Sequence, residues 1–158
     1  MAAVQRTRLQ TPSACGPHGE ATGNRGLGER RPWHHPDYDP LWAGLAKLGV
    51  TVCFHDAGRT HLTPDYSLVI LDKIMLWHTF NQPIGIMSVL ATMIAGGVID
   101  RFPKLRFGLL EGNCSWAPWL THRLDEHWEW IGRLEAPDLT QAPSEYFKSN
   151  CFLSLESN

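Results

Sequence analysis

The segment Leu105–His127, LRFGLLEGNCSWAPWLTHRLDEH, decides the fold of this chain. Apolar and small residues run up to a single acid, Glu111, and a Gly112-Asn113 turn follows. Apolar and aromatic side chains then recur every three or four residues, which is the period of an amphipathic helix. A buried strand, a tight turn and a helix in this order are typical of a parallel α/β sheet. Such folds place their chemistry at the carboxyl ends of the strands, where Glu111 stands.

Similar units precede and follow this segment. The first predicted helix has Asp39 as N-cap and Gly49 as C-cap, and Ser144 is the predicted cap of the last helix. Pro83 is predicted to begin the long helix and Pro103 to stop it. Strands separated by helices indicate parallel pairing with right-handed crossovers. In chain order we predict helix 40–48, strand 50–54, a short helix 66–77, helix 83–102, strand 105–110, helix 116–134, helix 144–149 and strand 151–155.

Composition excludes several classes of function. The 158 residues suffice for one domain with a core, and a net charge of −2 gives no reason to expect nucleic acid or an anionic membrane as partner. The longest apolar run, 84–99, is broken by glycines and falls short of the ~20 residues of a membrane span. Cys53 and Cys151 lie in predicted buried strands, and no CxxC pair occurs. These features predict a reduced, cytoplasmic protein without a glycine-rich nucleotide site.

The first 31 residues differ from the rest of the chain. They are rich in Gly, Arg, Thr and Pro and show neither a helical nor a strand period. We therefore predict a disordered leader over 1–31 and a folded domain over 32–158. The arginines of the leader leave an organelle transit peptide or a nucleic-acid arm as alternatives to an unstructured leader or a non-native start.

Two predicted strands end in an ionisable residue, His55 and Glu111. Because parallel strands of one sheet end at the same edge, these side chains could share a metal ion or act as a base with its orienter. An alternative is that His55 caps the following loop while Glu111 pairs with Arg123 or Arg59. The pattern alone does not decide between a site and local pairing.

The remaining histidines are weaker candidates. His34 and His35 are adjacent, so they are not expected to bind one ion together. His122 and His127 lie five residues apart, which differs from the spacing of a zinc-binding helix and favours a surface role. Further residues of interest are His61 and His78, the ion-pair candidates Arg123, Asp125 and Glu126 on one helix face, and the pocket-wall candidates Asn113, Trp116 and Trp119.

Two stretches resemble a known family. DYDPLWAGLAKLGVTVCFHDAG and VIDRFPKLRFGLLEGNCSWAPWLTHRLDEHWE resemble the amidohydrolase-related metal-dependent enzymes, the amidohydrolase-2 group with its aminocarboxymuconate-semialdehyde-decarboxylase-like proteins. Several spaced motifs carry the resemblance, namely FPxLR, an apolar strand with a polar end, W-x-P and RLDE. It covers roughly residues 32–155.

The resemblance implies an α/β fold, a partial (β/α)8 TIM barrel with strands five to seven and their helices. His55 would be a metal ligand at the end of strand five, and Glu111 stands where many members carry a catalytic or ligand His at the end of strand six. The ion would be Zn²⁺ or another divalent metal. The HxH pair of strand one has no counterpart here, and the Asp of strand eight would lie beyond Asn158.

The function implied is therefore a fragment of a hydrolase or decarboxylase. It would act on a small carboxylated or amide/ester substrate and be inactive alone, with Glu111 as ligand, base or orienter. The alternative is a degenerate, non-catalytic family member that serves as an interaction module, with a homo-oligomer as one assembly. A third interpretation is a small independent protein with a flavodoxin-like sheet.

Overall fold

A three-stranded parallel sheet organises the residues that the computed structural model describes, which are 31–55 and 73–155. The strands are β1 (Thr51–His55), β2 (Arg106–Leu110) and β3 (Cys151–Leu153), and β2 lies in the centre. Both pairs are parallel, so all three carboxyl ends lie at one edge. The predicted parallel order of strands and helices is confirmed over these residues.

Helices connect and cover the strands. The described helices are a 3-10 turn at Pro36–Tyr38, α1 (Asp39–Leu48), α2 (Ile74–Ala95), α3 (Val98–Arg101), α4 (Ala117–Glu135) and α5 (Pro143–Asn150). α1 ends at Gly49 in the left-handed conformation, φ +64°, as the sequence predicts. Its N-cap is Tyr38 and not the predicted Asp39, which is the first helical residue and whose carboxylate binds Arg101 at 3.0 Å.

The long helix begins earlier and ends earlier than predicted. α2 starts at Ile74 and carries Pro83 in its interior, where the ring removes one backbone hydrogen bond without ending the helix. α2 stops at Ala95, since Gly97 adopts φ +71° and a new short helix, α3, follows. His34 packs so closely on Gly96 that a Cβ on Gly96 would lie 2.2 Å from the His34 Cβ. Gly96 therefore makes room for the segment before α1, while Gly97 supplies the positive φ between α2 and α3.

One face of the sheet carries the core. Phe107 and Leu109 of β2 are 1% exposed and pack against buried side chains of the helices. The Trp42 ring meets Phe107 edge-on at 6.3 Å, and its Nε1 donates to the Trp33 carbonyl at 3.1 Å. Buried on this side are Trp42, Ile86, Leu90, Met93, Ile94, Val98, Ile99, Leu105, Phe107 and Leu109.

The other face of the sheet is open, which corrects the prediction that β1 is a buried strand. Exposure alternates along β1, and Cys53 is exposed. A Cβ on Gly108 would lie 2.6 Å from the Phe152 ring and 2.9 Å from the Cys53 sulfur, so these three residues share that face. Phe152 keeps 47% of its surface exposed. In β1, all the side chains that alternate onto this face are exposed.

Cys151, in contrast, alternates onto the core side and is partly buried. Burial raises the pKa of its thiol to about 12, so it stays protonated at neutral pH. The pKa of the Cys53 thiol is also raised by partial burial. Within the described residues, three cysteines are free.

Several expectations lie outside the described residues. They concern the disordered leader up to residue 30, the loop at 59–65, His61, and most of the short helix at 66–77. The described residues from Pro32 onward belong to one compact unit. None of the helices in the described ranges has the length and apolar character that a bilayer crossing requires.

Candidate functional site

His55 and Glu111 meet at the carboxyl edge of the sheet. His55 ends β1, and Glu111 directly follows β2, whose last residue Leu110 pairs with His55. The His55 Nε2 lies 3.1 Å from the Glu111 Oε1, with 54% and 45% of the two side chains exposed. Arg123, one of the two alternative partners for Glu111, binds Glu126 instead at 2.8 Å, and the other, Arg59, lies outside the described residues. The structure thus brings together the two residues that the sequence singles out.

The backbone at Glu111 is left-handed, with φ +62°. For a residue with a Cβ, this conformation lowers stability by about 1–2 kcal/mol, so the surrounding structure must impose it. Gly112 is buried, and a Cβ there would meet Ile86 at 3.2 Å. The Gly112 carbonyl accepts a hydrogen bond from the Trp116 indole Nε1–H at 2.7 Å. The tight turn between β2 and α4 therefore turns the Glu111 carboxylate toward His55.

Ser154 is a site residue that the sequence pattern alone did not reveal. Its hydroxyl oxygen accepts the Glu111 backbone N–H at 3.0 Å, and its own N–H donates to the Leu109 carbonyl at 3.0 Å. Ser154 directly follows β3, just as Glu111 follows β2. The sequence signal that could have indicated Ser154 is its place as a polar residue at the end of the third parallel strand. Its hydroxyl holds the carboxylate-bearing residue in place.

The pocket-wall candidates have different roles. Trp116 is 9% exposed and holds the turn through its indole nitrogen. Asn113 also has a positive φ, 54°, and its side-chain oxygen accepts the Cys114 N–H at 2.7 Å. Trp119 is 59% exposed on α4 and lines no part of the core. Trp116 and Asn113 therefore shape the turn behind Glu111.

The other histidines lie away from this edge. His35 Nδ1 accepts the Asp37 N–H at 3.3 Å, while the neighbouring His34 packs on Gly96. Burial, then the charges of Arg101 and His35, lowers the pKa of His34. The two rings thus occupy different surroundings. His78 is exposed within α2 and does not precede the helix.

The predictions for the polar residues of α4 are confirmed in part. His122 and His127 are exposed, as predicted; His122 Nε2 lies 3.6 Å from Glu126, and His127 Nδ1 lies 2.8 Å from the Arg123 carbonyl. Asp125 was expected on a solvated, ion-paired face. It is partly buried instead, and its carboxylate accepts the Ser144 N–H at 2.8 Å. Asp125, rather than Ser144, therefore caps α5.

The donor set at His55 and Glu111 fits part of a metal site. An imidazole nitrogen and a carboxylate oxygen are common ligands of zinc and related ions. Two ligands of one tetrahedral ion at bonds of ~2.0–2.2 Å lie roughly 3.3 Å apart, close to the 3.1 Å found here. The described residues hold no cluster of three or more His, Cys, Asp or Glu side chains suited to a metal ion. The pair therefore supplies two donors and no complete coordination shell.

A separate cavity of about 390 Å³ lies away from this edge. It is bounded by the end of α2 and the segment after α4, with His34, Gly96, Glu135 and Asp138 among its lining residues. None of its lining residues belongs to the edge formed by His55 and Glu111.

Comparison with solved structures places this geometry in context. An amidohydrolase from Mycobacterium avium subsp. paratuberculosis K-10 is 27% identical over 83% of this chain, with a TM-score of 0.67. This chain is similar to amidohydrolase-related enzymes. It covers 32% of the mycobacterial chain, so it spans about a third of that relative's length. The resemblance inferred from the sequence motifs is confirmed.

Two decarboxylases share the fold at lower identity. The 5-carboxyvanillate decarboxylase from Sphingomonas paucimobilis is 24% identical over 77% of this chain, with a TM-score of 0.56 and 35% of its own length covered. A dihydroxybenzoic acid decarboxylase from Polaromonas sp. JS666, solved with bound manganese and the inhibitor 2-nitroresorcinol, is 19% identical over 78% of this chain, with a TM-score of 0.54 and 36% of its own length covered. No family model matches the sequence, and the search of curated proteins returns no match.

Proposed function

We propose that this chain is part of a metal-dependent, amidohydrolase-related hydrolase or decarboxylase. Its substrate would be a small carboxylated molecule, or an amide or ester. The observation that carries the proposal is the 3.1 Å approach of His55 to Glu111 at the carboxyl edge of a parallel sheet. In this proposal, β1, β2 and β3 correspond to strands five, six and seven of a (β/α)8 barrel. The similarity to the mycobacterial amidohydrolase supports it.

His55 Nε2 and one Glu111 oxygen would hold the divalent ion. When bound, the ion acts as a Lewis acid toward water or a substrate carboxylate. Zinc suits the mixed nitrogen and oxygen donors, and manganese suits the carboxylate. The Polaromonas enzyme was solved with manganese, so both metals belong in the test.

The chain's own side chains have separate tasks. Glu111 offers a second carboxylate oxygen that can accept a proton or orient a hydrogen-bond donor. Ser154 keeps Glu111 at the edge through the backbone N–H, and the turn around Gly112 fixes its direction. Glu stands where many family members carry His, so this position contributes a negative charge that an imidazole would lack.

The open face of the sheet supports the partial-barrel part of the proposal. Cys53 and Phe152 occupy this face and remain exposed. In a closed barrel that face is the filled interior, where strands are covered on both sides. Further metal donors would then come from other strands of the barrel, and the two donors described here would not suffice for activity alone.

Metal titration tests the proposal. Isothermal titration of the full chain with Zn²⁺ and with Mn²⁺ is expected to show one site that His55→Ala and Glu111→Ala abolish. Ser154→Ala should weaken binding by about tenfold, because Ser154 holds the backbone of the proposed ligand Glu111. His122→Ala is the matched control: His122 also lies beside a glutamate, at 3.6 Å, but away from the sheet edge. Binding that survives both ligand variants would overturn the assignment.

A second candidate is the interaction module without catalysis. The observation in its favour is the open, partly apolar sheet face with Phe152 at 47% exposure. The same titration separates the two candidates, since a module requires no metal. A chain that binds neither ion at neutral pH would favour the module.

A further inference from the structure

The outward face of α4 carries three exposed apolar side chains at positions where a solvent-facing helix is normally polar. Trp119, Trp130 and Leu134 are 59%, 78% and 82% exposed. At 3.6 residues per turn they lie within one stripe about 60° wide. Ala117 and Gly132 of the same helix are buried on the opposite side. An amphipathic surface helix places polar residues on its outer face, so this stripe requires an explanation.

The contacts of α4 with other described elements leave the stripe uncovered. α4 packs against α2 and against α5, whereas Trp119, Trp130 and Leu134 stay largely exposed. Ile74 and Met75 are also exposed, but they begin α2 directly after residues outside the described range. Phe152 lies on the open sheet face. The α4 stripe differs from both because it faces away from the sheet and from its helical neighbours.

The charges in the middle of the stripe are self-complementary. Arg123, Glu126 and His127 lie between Trp119 and Trp130 on the same face. Arg123 Nη1 binds Glu126 Oε2 at 2.8 Å, and the His127 ring stands edge-on to Trp130 at 6.0 Å. A two-fold axis between Glu126 and His127 would therefore place the acid of one helix opposite the imidazole of the other.

We propose that this stripe pairs with the same stripe of a second copy of the chain. The two α4 helices would run antiparallel about a two-fold axis between Glu126 and His127, which gives an isologous dimer. Trp119 would then face Leu134 of the second copy. Arg123 would lie over Trp130 of the second copy in a cation–π contact, and Glu126 would face the second copy's His127.

This pairing matches every residue of the stripe with a complementary one. Two apolar pairs lie at the ends, two cation–aromatic pairs lie inside them, and the acid–imidazole pairs are central. A parallel pairing would instead place Arg123 on Arg123 and Glu126 on Glu126, so like charges would repel. The inference is independent of the proposed metal site, which lies at the carboxyl edge of the sheet.

Sedimentation velocity of the full chain over a range of concentrations tests the proposal. A reversible dimer is expected. Trp119→Glu and Leu134→Lys should each weaken dimerisation by at least about tenfold, because each places a charge in an apolar contact of the interface. The double variant Trp119→Glu with Leu134→Lys should recover most of it, because only the antiparallel register brings the two new charges together. Leu48→Lys, at an apolar position 73% exposed on α1, is the matched control.

Three results would overturn the proposal. The chain could sediment as a monomer at all concentrations. Its self-association could be unchanged by Trp119→Glu and Leu134→Lys, which would place the contact on another face, such as the open sheet. The double variant could also fail to recover dimerisation while each single variant remains folded by circular dichroism, which would exclude the antiparallel register.

Discussion

At the scale of single residues, the candidate site depends on a strained backbone at Glu111. Its φ of +62° is unfavourable for a side chain that offers no local hydrogen bond, whereas Asn tolerates this region. The neighbouring position with positive φ, Asn113, has the suitable residue. Non-glycine residues persist in such conformations where surrounding contacts impose them, and these positions cluster at functional sites.

We therefore expect Glu111→Asn to stabilise the fold while it removes the carboxylate that we propose as a metal ligand. The free energy of unfolding should rise by about 0.5–1 kcal/mol because the strain falls. Urea unfolding in 0.5 M salt, which screens the half-exposed pair with His55, measures this change. The reverse variant, Asn113→Glu, should lower the free energy of unfolding by a similar amount. A destabilised Glu111→Asn would show that the backbone is not strained there.

At the scale of elements, α5 depends on a cap from another helix. The Asp125 carboxylate of α4 accepts the N–H of Ser144 in the first turn of α5. A carboxylate at a helix N-terminus satisfies an otherwise unpaired donor and opposes the helix dipole. α5 also leads directly into β3, so this contact helps to place Ser154 behind Glu111.

Asp125→Ala is expected to lower the free energy of unfolding by about 1 kcal/mol, because α5 loses its cap. Chemical denaturation at low protein concentration measures this loss. Glu129→Ala is the control, since Glu129 is exposed on the same helix and its loss should change stability by less than about 0.5 kcal/mol. Equal effects of the two variants would show that the contact between α4 and α5 does not stabilise α5.

At the scale of the whole molecule, the sheet has one covered face and one open face. Phe107 and Phe152 are aromatic residues on adjacent strands, with 1% and 47% exposure. The first packs with Trp42 and Phe54 under the helices, and the second lies beside Cys53 on the open face. Most of the hydrophobic stabilisation therefore comes from one side of the sheet.

We expect Phe107→Ala to lower the free energy of unfolding by about 3–5 kcal/mol, the usual cost of a cavity at a buried aromatic. Phe152→Ala should cost about 1 kcal/mol or less, because half of its surface already contacts solvent. Thermal unfolding followed by near-ultraviolet circular dichroism separates the two outcomes. Comparable losses would mean that the open face is covered in solution, by a second copy or by residues outside the described ranges.

The sequence by itself predicted the parallel order of strands and helices and placed His55 and Glu111 at the same edge of the sheet. Hydrophobic period and turn residues are local signals. Because parallel strands end at one edge of a sheet, residues that end two such strands are expected to lie near each other. The same local signals located the end of α1 at Gly49 and the start of α4 near Pro118 within one or two residues. The family motifs indicated the amidohydrolase-related resemblance that structural comparison supports.

Only the tertiary structure decided which faces are covered and how the site is held. An apolar strand pattern does not tell whether one side or both sides are packed, so the exposure of Cys53 was not predictable. Pro83 was expected to start a helix, but packing of its neighbours in α2 keeps the helix continuous through it. The contact from Ser154 to Glu111 joins residues 43 positions apart, and the outward direction of Trp119 depends on where α2 and α5 pack. Such contacts arise from the spatial arrangement of whole elements, which local sequence preference does not encode.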